Sequence, residues 1–505
     1  MEFLSFYNLL LALLTFSAYC ISLAVYRLYL SPLARFPGPK LAALTLWYEF
    51  YYDVIKRGRY TWKIAELHER HGPIIRISPY ELHINDPDYY DELYVGTSIR
   101  RSMKYQWSMK GFGPTIATFS TESHELHRTR AAALAPFFSK ASVYHLEPSV
   151  QSIVDQLVAR LRTVQGAGSN VNMVDVFTSL TGDVISQYAF ARPFGFMRSP
   201  DFSPHWHQLM MELSETSHVF KQFGWLEPMM RSIPPSLIKM ASPKLSSLFG
   251  MQDTIRAQVL EIKKEHAEGR KPSGRRTIIY DILTNDQIRP QDKETERLLA
   301  EALSVVAAGT TTTAHTLSVL AFHILHNPGI LNKLQHELES IMPKPDSQPR
   351  WSELEQLPYM TACIQEALRW GYGVSHRLQR MFPDTALQYK NWRIPVNTPV
   401  GMTSVMLHDD PSLFPNPRSF QPERWLQPSK TQLRKYLVPF GKGSRSCLGM
   451  NLAYCELYLT LAAIFAPNRF RFELYETDVT DVEIAHDFFN PCYRANSKGM
   501  RVVVH

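Results

Sequence analysis

From Phe3 to Tyr26 the chain carries no charge, and Asn8 is its one strongly polar side chain. After Arg27 the pattern changes. Apolar positions then recur every second residue, or every third and fourth, with charges between them. About twenty unbroken apolar residues span the hydrocarbon core of a bilayer as one helix. A cleavable signal would begin with basic residues and have a shorter apolar stretch. Here Glu2 opens the chain, and the bases Arg27, Arg35 and Lys40 follow the run. The pattern predicts a membrane anchor over residues 1–30, with a buried core helix as the alternative. Basic residues on its C-terminal side direct the rest of the chain to the cytosol.

The next stretch, SPLARFPGPK (residues 31–40), holds three prolines and a glycine. These end a helix and set an extended elbow, read as a semi-rigid hinge. Residues 41–505 form the catalytic bulk. PIIRIS and YELHIND, between Pro73 and Asp86, alternate around Pro79 and predict a short antiparallel pair. Helical periods run from His124 to the PFFSK stretch, from Val150 to Leu161 and from His207 to Phe220. A further helix is expected from Pro358 to Trp370, and a last one from Leu448 to Ala466. The longest runs from Pro290 to His326; thirty residues extend about 45 Å, enough to cross a domain. Gly195 to Leu237, rich in Met, Phe, Trp and Pro, reads as mobile apolar cover, and Glu261 to Arg276 as a basic solvated loop. Short strands between Leu387 and Val405 and a proline-rich meander from Asp409 to Pro428 complete the expectation. The fold class is mainly α with minor β sheets.

Composition narrows the function. With 505 residues and 45% apolar composition the chain can bury a large core. Five cysteines, odd in number and without CxxC spacing, argue against a disulfide framework or structural zinc. The net charge of +7 is spread without a nucleic-acid motif. It suits anionic lipid headgroups or an acidic protein partner, not nucleic acid.

One short loop carries the chemistry: Phe440-Gly441-Lys442-Gly443-Ser444-Arg445-Ser446-Cys447-Leu448-Gly449. An isolated cysteine is usually a small buried hydrophobe. Here glycines at 441, 443 and 449 let the backbone approach a flat object. The apolar stripe that follows places Cys447 at a helix N-terminus, where N–H groups favour thiolate. Arg445 adds a cation suited to carboxylates. These are the needs of a haem iron on its thiolate side.

The ten residues resemble the haem-binding signature of the cytochrome P450 family, and the likeness extends from FPGPK to the C-terminus. GRYTWKIAELHERHGPIIRISPYELHINDPDYYDELY is most similar to the trichodiene oxygenase-like fungal subgroup, whose members tailor terpenoid or polyketide skeletons. The resemblance implies that Cys447 is the axial ligand of haem b, that Arg445 meets a propionate and that Phe440 packs near the sulfur. Glu366 and Arg369 in EALR, with Arg424 in PERW, resemble the family's buried triad; the bland alternative is a surface pair worth little. Arg380 matches a second propionate-binding position. In HRTRAAALAPFFS, His127 takes the first basic position, but Ala131 replaces the usual arginine. Arg128 or Arg130 could compensate, or both could face solvent.

In the long helix, AAGTTTTAHT puts Gly309 beside β-branched residues, a weak helical spot. The resemblance implies a kink there for dioxygen, with Thr312 as the oxygen-activating hydroxyl. The family's usual acid is replaced by Thr311, and Glu301 lies about 15 Å away along the axis. Proton delivery is therefore expected through hydroxyls and water. Substrate contacts are expected from Arg100 to Thr121, Phe194 to Leu237, Gly371 to Ser375 and Asp487 to Cys492. Phe488, Phe489, Trp225, Phe220, Met210 and Met211 are the candidate apolar contacts, or plain core. The implied activity is insertion of one oxygen atom from O2 into a small apolar secondary-metabolite intermediate, at the endoplasmic reticulum membrane. NADPH would act through a separate cytochrome P450 reductase, since no GxGxxG region is present. A reductase-independent haem-thiolate isomerase or dehydratase, or a haem carrier or sensor, are the alternatives.

Overall fold

A computed structural model describes residues 2–96, 99–112, 116–234, 243–270, 277–344, 346–428 and 430–505. The apolar run forms one helix, Glu2–Val25, continued by a wider π-helical turn, Tyr26–Leu30. Phe6, Leu9, Leu13, Phe16 and Ile21 project outward, fully unpacked by the rest of the chain. Such exposure is costly in water and favourable in lipid. Thr295–His326 is also long and apolar enough to cross a bilayer, but most of it is buried inside the protein. Burial, not length, separates an anchor from a core helix.

The elbow is packed. Leu33 and Phe36 are buried, and Phe36 stacks on Trp392 at 5.0 Å. The Arg76 amide donates to Pro37 O at 2.7 Å, and its guanidinium reaches Arg27 O at 2.7 Å. The proline-rich stretch is thus seated on the domain rather than acting as a spacer.

Helices Lys140–Val164, Met173–Phe190, Thr295–His326, Pro358–Trp370 and Met450–Phe465 share one large apolar core. Beside it lies a five-stranded sheet, in the order Ile74–Arg76, Leu82–Ile84, Val400–Gly401, Arg380–Met381, Met103–Lys104. Its first two strands pair antiparallel, Ile74 opposite Ile84. At its far edge Lys104 lies directly opposite Arg380. Like charges facing across strands are unfavourable, so that register places an electrostatic cost at one spot.

Several expectations change. Helix Lys140–Val164 starts well before Val150, because its core-facing side already begins at Val143, and it carries Pro148 inside it at the loss of a helical hydrogen bond. Pro243–Ala267 is helical through the stretch read as a loop from Glu261. The end of that stretch, 271–276, lies outside the described residues, as do 113–115 and 235–237 of the expected substrate segments. The Gly195–Leu237 stretch is not mere cover. Trp206, Leu209 and Met210, on helix Pro204–Gln222, join the main core.

The long helix is unbroken from Thr295 to His326. Thr310, Thr312 and Thr316 hydroxyls donate to the carbonyls of Val306, Ala308 and Thr312, which occupies them without breaking the backbone ladder. Gly309 has a packing reason. A Cβ there would sit 2.6 Å from Ile185 Cγ1, so its absence lets this helix press against Met173–Phe190. Thr181 then donates to Thr310 O at 2.9 Å across the contact.

Candidate functional site

The cysteine loop is a closed turn. The Cys447 amide donates to Phe440 O at 2.8 Å, and the Ser446 amide to Gly443 O at 3.2 Å. Gly441 and Gly443 hold φ of +62° and +74°, while Gly449 does not. At Gly443 a side chain would also strike Tyr94 O and Val95 O, both 2.3 Å from a Cβ. Phe440 stands 5.5 Å from Tyr454, ring to ring, at the border of the main core.

The following helix begins at Met450, with Gly449 as its cap, so Cys447 precedes the N-terminus instead of forming it. Burial therefore pushes the Cys447 thiol up, and one Gly449 amide only partly offsets this. A bound cation would favour the thiolate. Although deep in the molecule, Cys447 keeps accessible surface. Midway along the domain-crossing helix Ala308 is likewise exposed and Thr312 half-buried.

Beside the loop stands a group of buried cations. Arg445 donates to Thr121 O at 2.6 Å and Glu122 O at 2.7 Å, and its Nε is buried without a partner among the described residues. Burial, then the charge of Arg380, pushes Arg445 down to about 9. Arg380 itself, held over Tyr94 at 5.1 Å, is lowered by burial. Lys104 is lowered further, by burial and then by Arg445 and Arg380. His127 is pushed down to about 3 by burial and the same three cations. No carboxylate pairs with Lys104, Arg380 or Arg445 among the described residues; Glu122 affects Arg445 only after burial and Arg380. Such a set is unfavourable unless an anion joins it. The donors fit the two carboxylates of a haem, and Cys447 fits its iron.

Lys104 was missed in the sequence. The signal was a lysine inside SMKYQW, at a position whose strand neighbours are apolar. Arg128 and Arg130 do not take the missing arginine's place: Arg128 is exposed, and Arg130 pairs with Asp292 at 2.8 Å.

Behind the loop, Glu366 and Arg369 are fully buried and 2.8 Å apart. Arg424 Nε reaches Glu366 at 3.1 Å, and the Trp425 indole N–H at 2.9 Å. His408, not singled out in the sequence, connects this group to the loop. Its Nδ1–H donates to Arg369 O at 2.9 Å, and its Nε2 accepts the Val438 amide at 3.0 Å. Val438 O in turn accepts the Gly441 amide at 3.0 Å. Those two bonds require a neutral ring, and burial pushes His408 down to about 3.

On the long helix, Thr311 lines a small cavity with His207, His315 and Tyr493. Glu301 pairs with Arg297 and accepts the Thr118 hydroxyl at 2.7 Å, remote from that cavity. The candidate substrate contacts separate. Phe489 joins Phe112 and Phe119 in an edge-to-face trio, with centroids 4.5 to 5.7 Å apart, and Lys104 Nζ sits 3.4 Å over Phe119. Phe488 packs on His486 and His218. Phe220 is half-buried, Trp225 lies on the surface, and Met210 and Met211 line the Thr311 cavity.

A family model for Cytochrome P450 matches residues 37–495. Tryptophan 6-hydroxylase fscE of Fusarium equiseti is 44% identical over 495 residues, 97% of this chain and 96% of that protein. Cytochrome P450 monooxygenase tpcC of Cochliobolus heterostrophus is 43% identical over 498 residues, 95% of this chain and 94% of that protein. N-acetyltryptophan 6-hydroxylase ivoC of Emericella nidulans is 39% identical, covering 96% of this chain and 94% of that protein. A cysteine loop against unpaired buried cations and full-length likeness to these enzymes lead to one conclusion: the chain belongs to the cytochrome P450 family, as one of its monooxygenases.

Proposed function

We propose that Cys447 ligates the iron of haem b and that the domain hydroxylates a small aromatic secondary-metabolite intermediate, with indole-bearing amino acids first in line. The single observation carrying the haem placement is the cation group Lys104, Arg380 and Arg445, without a paired carboxylate among the described residues, whose Arg445 stands two residues before Cys447. Haem, when bound, supplies the iron that activates O2 with electrons delivered from NADPH through a separate reductase. The chain's own residues do the rest. Arg445, Arg380 and Lys104 hold the two propionates, and His127 stays neutral beside them as a hydrogen-bonding partner. Glu366, Arg369, Arg424 and His408 brace the loop that aims the sulfur. Phe440 and Leu448 keep water from it. Thr312 holds a hydroxyl proton on the Ala308 face, where the reacting oxygen would stand.

The substrate reading moves away from terpenoid or polyketide skeletons. Two relatives are named for tryptophan or its N-acetyl derivative, and the Phe112–Phe119–Phe489 trio offers ring edges and faces to a flat guest. Residues 1–30 would anchor the domain, 41–505, on the cytosolic side of the endoplasmic reticulum, through the seated hinge 31–40. The test is spectroscopic, then chemical. The reduced, carbonyl-bound pigment should show the red-shifted Soret band of thiolate ligation; a band at the position of imidazole ligation rejects Cys447. With reductase and NADPH, tryptophan or N-acetyltryptophan should yield a product heavier by one oxygen. Conversion of terpene or polyketide candidates alone would overturn the indole assignment.

A further inference from the structure

A second polar site lies beside the oxygen-facing side of the long helix. Thr311, His315 and Ser318 follow one another along one face and line a small cavity with His207, Thr178 and Tyr493. The cavity leaves about 20 Å³ for the centre of a water-sized sphere, room for one water. Its protonation pattern is fixed by its bonds. Thr178 gives its hydroxyl proton to Val174 O at 2.7 Å, so its oxygen accepts from His207 Nδ1 at 3.3 Å. His207 Nε2 then accepts the Tyr493 hydroxyl at 2.7 Å. His315 has no protein hydrogen-bond partner among the described residues, and both its nitrogens are free to bind water. It stands one turn after Thr311 and three residues after Thr312.

We propose that His315 relays protons through this cavity to the Thr311 hydroxyl, replacing the carboxyl that the family places where this chain has Thr311. The inference rests on the monooxygenase reading above. The step is a proton exchange without electron transfer. One ring nitrogen takes a proton from cavity water on the His207–Tyr493 side, and the other nitrogen releases one toward Thr311. The ring ends neutral with its tautomer reversed, and rotation or a second exchange resets it. One proton crosses per cycle.

The surroundings suit this task. Helix Met173–Phe190 presents Thr178 to the cavity, helix Pro204–Gln222 presents His207, and the C-terminal segment presents Tyr493 and Asp481. Gly371, after helix Pro358–Trp370, brings only backbone, 3.6 Å from the His315 ring measured from a Cβ position. Burial holds His315 near 4, with the charge of His207 second, and burial holds His207 near 4. A charge on His207 therefore adds to the burial that disfavours a proton on His315. Asp481 closes the outer end, paired with Arg494 at 3.1 Å, and Arg494 is partly exposed to water.

Two experiments on the full chain test it. In the first, ring ¹⁵N shifts of His315 are followed against pH in histidine-labelled protein, with and without His207→Gln. The expected result is a rise of the His315 midpoint in the variant; an unchanged midpoint overturns the coupling of the two rings. In the second, product and peroxide are counted per NADPH. His315→Gln should lower product per NADPH by about 10-fold or more, the lower end of general acid–base effects, with peroxide rising and the carbonyl-bound band unchanged. Adding Thr311→Asp to that variant should restore coupling, which a packing role for His315 would not allow. Unchanged coupling in His315→Gln, or no rescue by Thr311→Asp, overturns the proposal. Should His315→Gln lose the band, the titration decides. A wild-type chain without the band would sink the haem-thiolate reading instead, so the two failures are distinguishable.

Discussion

Two groups of charged side chains in the interior, which meet in the segment carrying Arg377 and Arg380, differ in one respect. In the first, Glu49, Asp53 and Glu81 meet Lys221 and Arg377. Lys221 reaches Glu49 at 2.6 Å and Asp53 at 3.0 Å, and Arg377 reaches Glu49 and Glu81. Burial opposes these charges, yet the partners win at Glu49, Lys221 and Arg377, while burial keeps Glu81 raised. Arg377 and Lys221 hold Glu49 below the usual carboxylate range, and Glu49 and Glu81 hold Arg377 well above its own. In the second group, Lys104 and Arg380 are buried, Arg445 is half-buried, and all three are lowered. The first group gives each of its cations a carboxylate partner and ties the N-terminal segment to helix Pro204–Gln222. The second is completed only by an anion from outside. Unbalanced burial, rather than burial of charge as such, marks the ligand site.

The sharpest break is Cys447→Ser, which should abolish both turnover and the thiolate band while the protein stays folded. Next, Glu49→Gln should destabilise the domain by about 3–5 kcal/mol, because Lys221 and Arg377 lose a shared partner in the interior. Denaturant unfolding reads this, with or without haem. Lys104→Met should separate the two groups by sign. The haem-free chain should unfold no more easily, since a facing cation is gone, while haem retention weakens by about 10- to 100-fold; transfer of haem to a competing acceptor measures it. Acid supplies a fourth comparison. Glu49 is lowered on folding from 4.5, so its contribution is complete above that pH and fades as pH falls toward the folded value. One unit of separation is worth about 1.4 kcal/mol. The stability slope below pH 4.5 should flatten in Glu49→Gln. Smallest of all, Arg57→Ala breaks a half-exposed pair with Glu215 and should change stability by under about 0.5 kcal/mol.

Much was legible because it is local. The N-terminal apolar helix, the Cys447 loop, helix Pro358–Trp370 and the paired strands near Pro79 each depend on neighbours in sequence: apolar length, glycine placement, a three-residue spacing, alternation. What failed also has physical reasons. The stretch after Glu261 is helical because Ile255, Val259 and Ile262 bury one face, which its basic composition hides. The N-terminus next to Cys447 shifted by two residues, and with it the electrostatics of the thiol. The expected weak spot at Gly309 is a helix contact made with Ile185, a residue far away in the chain.

The site shows the same division. Glycines, a cysteine and an arginine in one loop specify thiolate–haem chemistry from order alone, because backbone turns and adjacent charges need no distant partner. Convergence needs the fold. Lys104 becomes a propionate-side cation only through its register opposite Arg380. His408 becomes a brace only when Arg369 O and Val438 N–H flank it, and His315 becomes a relay only beside His207. Composition and spacing determined which chemical groups this chain owns. Three-dimensional packing decided which of them share a low-dielectric space, where an unpaired charge or an open imidazole acquires consequences.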